Sequence, residues 1–257
     1  MRPIFDAHTH LNYRSRSEFF NLAEKGYRCA VVCAYYLIKP RSADTLLDHF
    51  DVILKKYTGD FKGLRLYAAV GVHPRSIPQE GVEKVLRELP RYFEDKRVAA
   101  LGEVGVEKGT EEEKKVLKNQ LELAKELGTP VIFHTPRKNK YQMLQVGLRI
   151  LAEVGIDPSQ VVIDHNDEKT AGEVLHRGYY TGLSIHSKKL DTGRCGQIVQ
   201  KYSSFSNSLI LNSDLGYGAD EVFSLVNTVN HFEDNLGEEL LSKVTCKNAL
   251  DFFGIEG

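Results

Sequence analysis

Apolar residues gather along this chain in eight short runs, at 3–8, 29–36, 65–73, 98–104, 130–134, 161–165, 179–185 and 208–214. Most are rich in Val, Ile, Leu and Ala and lack a clean alternation of apolar and polar positions. Such runs predict parallel strands covered by helices. The stretches between them carry a helical period. Leu117, Leu121 and Ala124 line one face of 111–127, where Thr110 and Glu113 give a capping-box pattern and Gly128 then Pro130 close the element. Leu46, Phe50, Ile53, Leu54 and Tyr57 form a second apolar stripe, and Val82, Val85, Leu86 and Leu89 a third. Strand and helix alternate from end to end with no linker or shift of composition, which predicts one domain over residues 1–257. Eight βα units in about 250 residues predict an α/β fold of the (β/α)8 TIM-barrel type. An open doubly wound sheet is the competing architecture, but no Gly-rich phosphate loop follows the first run.

Composition changes this picture little. With 42% apolar residues and a net charge of −1, the chain reads as an ordinary soluble protein. Its overall charge offers no attraction for nucleic acid or an acidic membrane, so any such case rests on local charge. Cys29, Cys33, Cys195 and Cys246 show no C-x-x-C spacing. A disulfide framework is not expected in a chain this large, and Cys29 and Cys33 read as buried thiols. No basic segment followed by an apolar stretch opens the sequence, and the longest apolar run, 29–38, is too short for a bilayer. A cytoplasmic protein with no membrane partner and no obligate protein partner is expected.

In a barrel, catalytic groups come from the carboxyl ends of different strands and meet at one face. The ends of the expected strands carry His8 and His10, His73, Glu103, His134, His165, His186 and Asp214. Six of the nine histidines lie at such ends; His49, His176 and His231 fall in helical stretches. Four imidazoles and two carboxylates exceed the needs of one tetrahedral metal but suit two metals sharing a bridging carboxylate. Mixed nitrogen and oxygen ligation favours divalent Zn, Mn, Fe or Co, with Mg kept in the set.

His8-Thr9-His10, Gly71-Val72-His73-Pro74, Gly102-Glu103-Val104-Gly105, the run from Gln120 to His134, His165 and Ser213-Asp214 together resemble the TatD-like metal-dependent hydrolases, a branch of the amidohydrolase-type barrels. Asn248-Ala249-Leu250-Asp251-Phe252-Phe253 is similar to the family's closing helix. The resemblance implies one divalent ion on His8, His10, Glu103 and Asp214, and a second on Glu103, His134 and His165. Glu103 would bridge, and Asp214 would orient or deprotonate the attacking water. The implied activity is phosphodiester cleavage by a metal-bound hydroxide, nuclease-like, on DNA or RNA ends. The alternative is hydrolysis of a carboxylic ester, lactone or amide on the same scaffold; less expected is a non-catalytic metal or nucleic-acid binding protein. Departures from the family pattern cluster where substrate should lie: Val106-Glu107 after Gly105, Thr135-Pro136-Arg137 after His134, Asp164-His165-Asn166-Asp167, and Asn212 with Leu215-Gly216 around Asp214.

His73 and Arg137 are assigned to substrate binding. His186 reads equally as a leaving-group contact or a polar loop residue. Asp164 precedes His165, so alternation predicts that it points away from the metals; it reads either as an acid supporting a ligand or as a satisfied residue between barrel and helices, and is not counted as a ligand. Glu111-Glu112-Glu113 reads as a solvated charge run favoured at a helix N-terminus. Arg14, Arg16, Lys39, Arg41, Arg75, Arg137, Lys138, Lys140, Lys188, Lys189 and Arg194 follow strands and are expected to rim the catalytic face. Such a rim would steer a phosphate-bearing substrate.

Overall fold

The computed structural model of this chain describes residues 1–217 and 221–256. Among the described residues, nine strands form one sheet: β1 (Ile4–Thr9), β2 (Tyr27–Cys33), β3 (Gly59–Phe61), β4 (Leu64–Val70), β5 (Val98–Gly105), β6 (Val131–His134), β7 (Val161–Ile163), β8 (Tyr180–Ser184) and β9 (Leu209–Asn212). Eight pair in parallel in the order β1-β2-β4-β5-β6-β7-β8-β9, and β3 folds back antiparallel on β4. The seam between β9 and β1 closes at the carboxyl end. There His10 N donates to Leu215 O at 2.7 Å and Asp214 N to His8 O at 2.9 Å. The expected (β/α)8 barrel is therefore present, and each apolar run holds one of its strands. β3 is an addition: Gly59-Asp60-Phe61 is too short and too polar to stand out as an apolar run.

The outer layer is α1 (Arg16–Glu24), α2 (Ala43–Lys56), α3 (Val82–Glu88), α4 (Glu111–Leu127), α5 (Lys140–Val154), α6 (Ala171–His176), α7 (Thr192–Lys201) and α8 (Ser224–Glu233), followed by α9 (Glu238–Ser242) and α10 (Asn248–Phe253). Burial divides into two cores. One lies between helices and strands, with Phe19, Phe50, Phe133 and Phe232 among its largest members. The other fills the barrel with Phe5, Ala7, Cys29, Val31, Ala69, Ile132 and Ile210, and Phe252 and Phe253 of α10 stop its amino-terminal end. The Phe5 and Phe253 rings stack at 5.5 Å. With that end plugged, the carboxyl ends of the strands form the open face. Cys29, Cys33 and Cys195 are buried free thiols. Among the described residues, no helix is long and apolar enough to cross a membrane.

Two buried side chains fix the approach to the site. Thr110 Oγ1 accepts the Glu113 N–H at 3.2 Å, as a cap should. Glu113 itself corrects the charge-run expectation. Its carboxylate is buried, and Oε2 accepts the backbone N–H groups of Glu107, Lys108 and Gly109 at 3.0, 2.9 and 2.8 Å. That acid organises the loop after β5 instead of facing water. Gln120, also on α4, accepts Val72 N at 2.7 Å and donates to Val72 O at 3.1 Å, which fixes the chain just before His73.

Candidate metal centre

Phe5 and Ala7 face the barrel interior, so strict alternation would send Thr9 inward and His8 out. The β1–β2 register breaks between Asp6 and Thr9, and the break turns His8 into the barrel. Thr9 Oγ1 instead donates to Val31 O at 2.8 Å. His8 Nδ1 lies 2.7 Å from Asp164 Oδ2 and His10 Nδ1 lies 3.0 Å from Cys33 O. Each partner is an acceptor, so each Nδ1 carries the hydrogen and each Nε2 is left with a lone pair. His8 Nε2 is 3.4 Å from Glu103 Oε2 and 3.6 Å from Asp214 Oδ1; His10 Nε2 is 3.7 and 3.4 Å from the same two atoms. Acceptors facing acceptors repel unless a cation lies among them. His8 Nε2 is buried with no hydrogen-bond partner, as a ligand nitrogen would be. His8, His10 and Glu103 offer ligand atoms within 4.8 Å of one another, as do His8, His165 and Asp214, and either set has the donor chemistry to hold one divalent ion.

The second half of the site surrounds the other Glu103 oxygen. Oε1 lies 2.7 Å from His134 Nδ1 and 3.1 Å from His165 Nε2. His134 Nε2 meets Glu107 Oε2 at 3.0 Å. His165 Nδ1 is 2.7 Å from Ser184 Oγ. The Lys189 ammonium pairs with Asp214 and approaches His165 at 3.0 and 3.2 Å. His73 Nε2 is 3.9 Å from Glu103 Oε2, but His73 Nδ1 accepts the Arg75 N–H at 2.9 Å. The hydrogen of His73 therefore sits on Nε2, facing the site as a donor.

The ionisation states follow from crowding. Burial pushes the Glu103 carboxyl up, but His8 and His134 outweigh it and hold the group well below the usual range. Burial likewise opposes Asp214, and Lys189 with the neighbouring histidines wins, keeping it ionised. Burial holds His73 well below an ordinary histidine, and burial with the Lys189 charge does the same to His165, so both are neutral. His8 goes the other way. Burial lowers it, yet Cys33, Glu103 and Asp164 raise it well above the usual value. The space before its Nε2 favours positive charge, which a proton or a metal can supply.

These groups floor a cavity of about 260 Å³ at the carboxyl end of the barrel. The model of the TatD-related DNase family matches residues 5–253. The chain belongs to that family. An uncharacterized metal-dependent hydrolase of Methanocaldococcus jannaschii is 36% identical over 255 residues, which span 97% of this chain and 99% of the relative. Among solved structures, a TatD-like protein of Archaeoglobus fulgidus superposes with a TM-score of 0.81 at 31% identity, covering 98% of this chain and all of that one. A TatD homologue of Escherichia coli gives a TM-score of 0.71 at 17% identity over 98% of each chain, a likeness of fold.

On this TatD-family barrel, His8, His10, Glu103, His134, His165 and Asp214 come together at the cavity floor, and His73 and Arg137 line the cavity. The expectation for Asp164 is corrected: it points inward, holds His8 and receives Asn212 Nδ2 at 2.9 Å. Alternation fails there because β7 ends at Ile163 and His165 takes a left-handed backbone, φ 62°. Asp214, with φ 49°, is turned in the same way. Such conformations cost about 1–2 kcal/mol in a non-glycine residue and cluster where function requires a side chain to be aimed.

The basic rim is thinner than expected. Among the described residues, Arg75, Arg137, Lys188 and Lys189 line the cavity. Arg194 is bound to Glu168, Lys140 to Asp167, and Arg16 lies over the Phe61 ring. His186 lines the cavity, its Nδ1 accepting the Lys188 N–H at 3.1 Å. Glu107 went unassigned in the sequence, although its place after Gly105, where the family pattern departs, was the available signal.

Proposed function

We propose that this TatD-family metal-dependent hydrolase cleaves a phosphodiester at a DNA or RNA end, with two divalent ions bound. His8, His10, Glu103 and Asp214 would hold one ion, and Glu103, His134 and His165 the other. When bound, such ions lower the pKa of water at the site and draw charge from phosphoryl oxygens. Asp214, kept ionised beside Lys189, orients the attacking water. His73 Nε2–H donates to a non-bridging oxygen of the substrate. Arg137 and Arg75 balance the charge that builds on phosphorus and its oxygens.

One observation carries this reading. A floor of convergent lone pairs and carboxylates lies under a cavity wall bearing Arg75, Arg137 and Lys188. That wall suits a substrate with anionic oxygens, whereas a neutral carboxylic ester gains little from it. The test is metal analysis of purified protein, then hydrolysis of bis-p-nitrophenyl phosphate and p-nitrophenyl acetate with added Mn2+, Zn2+ or Co2+. Metal-dependent diester cleavage is expected. Turnover of the acetate alone would keep the metal centre and overturn the substrate class.

A further inference from the structure

The wall of the cavity is chemically divided. β9, β1 and β2 are neighbours round the barrel, and above Asp214 and His10 this arc presents Gly216, Tyr217, Tyr13, Tyr35 and Leu37. None of those five is charged. The facing arc, from β4 to β8, presents Arg75, Arg137, Lys188 and Lys189, with the Glu107 carboxylate there paired to His134.

The aromatic arc is held in place. Tyr13 Oη donates to Tyr35 O at 2.6 Å, and the Tyr35 ring packs edge-on against His73 at 4.8 Å. Tyr217 meets Tyr13 edge-on at 6.5 Å and remains 71% exposed. A bare ring thus stands at the mouth of the cavity, braced by a second ring. With about 260 Å³, the cavity is smaller than the roughly 300–1,000 Å³ of drug-sized sites and cannot take in a duplex.

We propose that the β9–β1–β2 arc is a stacking subsite for a nucleobase, with the Tyr217 ring as its platform and Tyr13 as the brace behind it, and that the attached phosphate reaches across to Arg137 and Lys188. The subsite deepens the phosphodiester reading above and rests on it. It selects substrates that carry a base next to the scissile phosphate over plain phosphoesters. Ring faces and an aliphatic side chain read no hydrogen-bonding edge, so the four bases are accepted almost alike.

Calorimetric titration of the metal-loaded protein with thymidine 5′-phosphate and with 2-deoxyribose 5-phosphate tests this directly. The two probes share sugar and phosphate and differ in the base. Wild-type protein should bind the nucleotide about tenfold more tightly or better, the scale of one base–aromatic stack. Tyr217→Ala should remove that advantage and leave the sugar phosphate unchanged, and Tyr217→Phe should restore it. Because Tyr217 is exposed, the variants test stacking without disturbing the fold. Equal binding of both probes by the wild type, or an unchanged nucleotide affinity in Tyr217→Ala, overturns the subsite alone. Binding of neither probe overturns the phosphodiester reading and the subsite with it.

Discussion

Replacing Asp164 separates the metal centre from the shell that orients it. Its carboxylate accepts His8 Nδ1–H at 2.7 Å and Asn212 Nδ2–H at 2.9 Å, both buried. Asp164→Ala strands two buried donors, each costing about 1–3 kcal/mol, or about 2–6 kcal/mol together. Against a total stability of about 5–15 kcal/mol, that loss can unfold the protein. Asp164→Asn is the readable variant. Its Oδ1 can still accept from His8. Its new N–H2 faces Asn212, whose own Oδ1 is buried without a hydrogen-bond partner and becomes an acceptor if that amide turns over. Stability should therefore fall by only about 1 kcal/mol. Metal affinity should fall further. A neutral amide polarises the imidazole less than a carboxylate does, and loss of such a partner costs about 10–100-fold in affinity. The assay is Zn2+ competition against a chromophoric chelator at fixed pH, with urea unfolding alongside. A Zn2+ affinity within about twofold of wild type in a folded Asp164→Asn protein would refute the orienting role.

Two further outcomes follow from buried groups outside the ligand set. Glu113→Ala should cost about 2–4 kcal/mol, because three loop N–H groups lose one charged acceptor. Amide exchange at Lys108 and Gly109 should speed up, and unchanged protection there would show that the loop is held by something else. His49 Nε2 is buried without a hydrogen-bond partner, and burial lowers its pKa to about 4, against 6.5 for a free side chain. Between those values the unfolded chain takes up a proton that the native protein refuses, so stability falls as pH drops through the window. Discounted for partial exposure, the loss at pH 4.5 is about 2 kcal/mol. His49→Gln should lose less stability between pH 7 and 4.5 in urea titrations. The same drop in both proteins would mean that His49 is not responsible.

The barrel was readable because its strands are buried on both faces, and a doubly buried strand must be a continuous apolar run. Val161-Val162-Ile163 and Leu209-Ile210-Leu211 declare themselves in this way. β3 did not, since a strand made of Gly59, Asp60 and Phe61 is held by its neighbour β4 and not by its own pattern. The convergence of His8, His10, Glu103, His134, His165 and Asp214 was readable for a related reason. Barrel topology sends strand ends to one face, so imidazoles and carboxylates at those ends converge whatever their separation in the chain.

The inward contacts of Asp164, Glu107 and Lys189 escaped because topology does not aim these side chains. Alternation is valid only while the strand lasts, and β7 stops one residue before Asp164. The left-handed turn at His165 then lets two consecutive side chains serve the same site. Glu107 reaches His134 only because Glu113, six residues along on α4, gathers the loop between them. Lys189 reaches Asp214 from a loop returned to the barrel by pairing of Ile185 with Leu190. In each case the functional contact depends on a second interaction that itself exists only in the folded chain. Substitutions at Glu113 or Leu190 should therefore change the site's behaviour even though neither residue touches the proposed metal ligands, which is where a search for tuning within this family has most to gain.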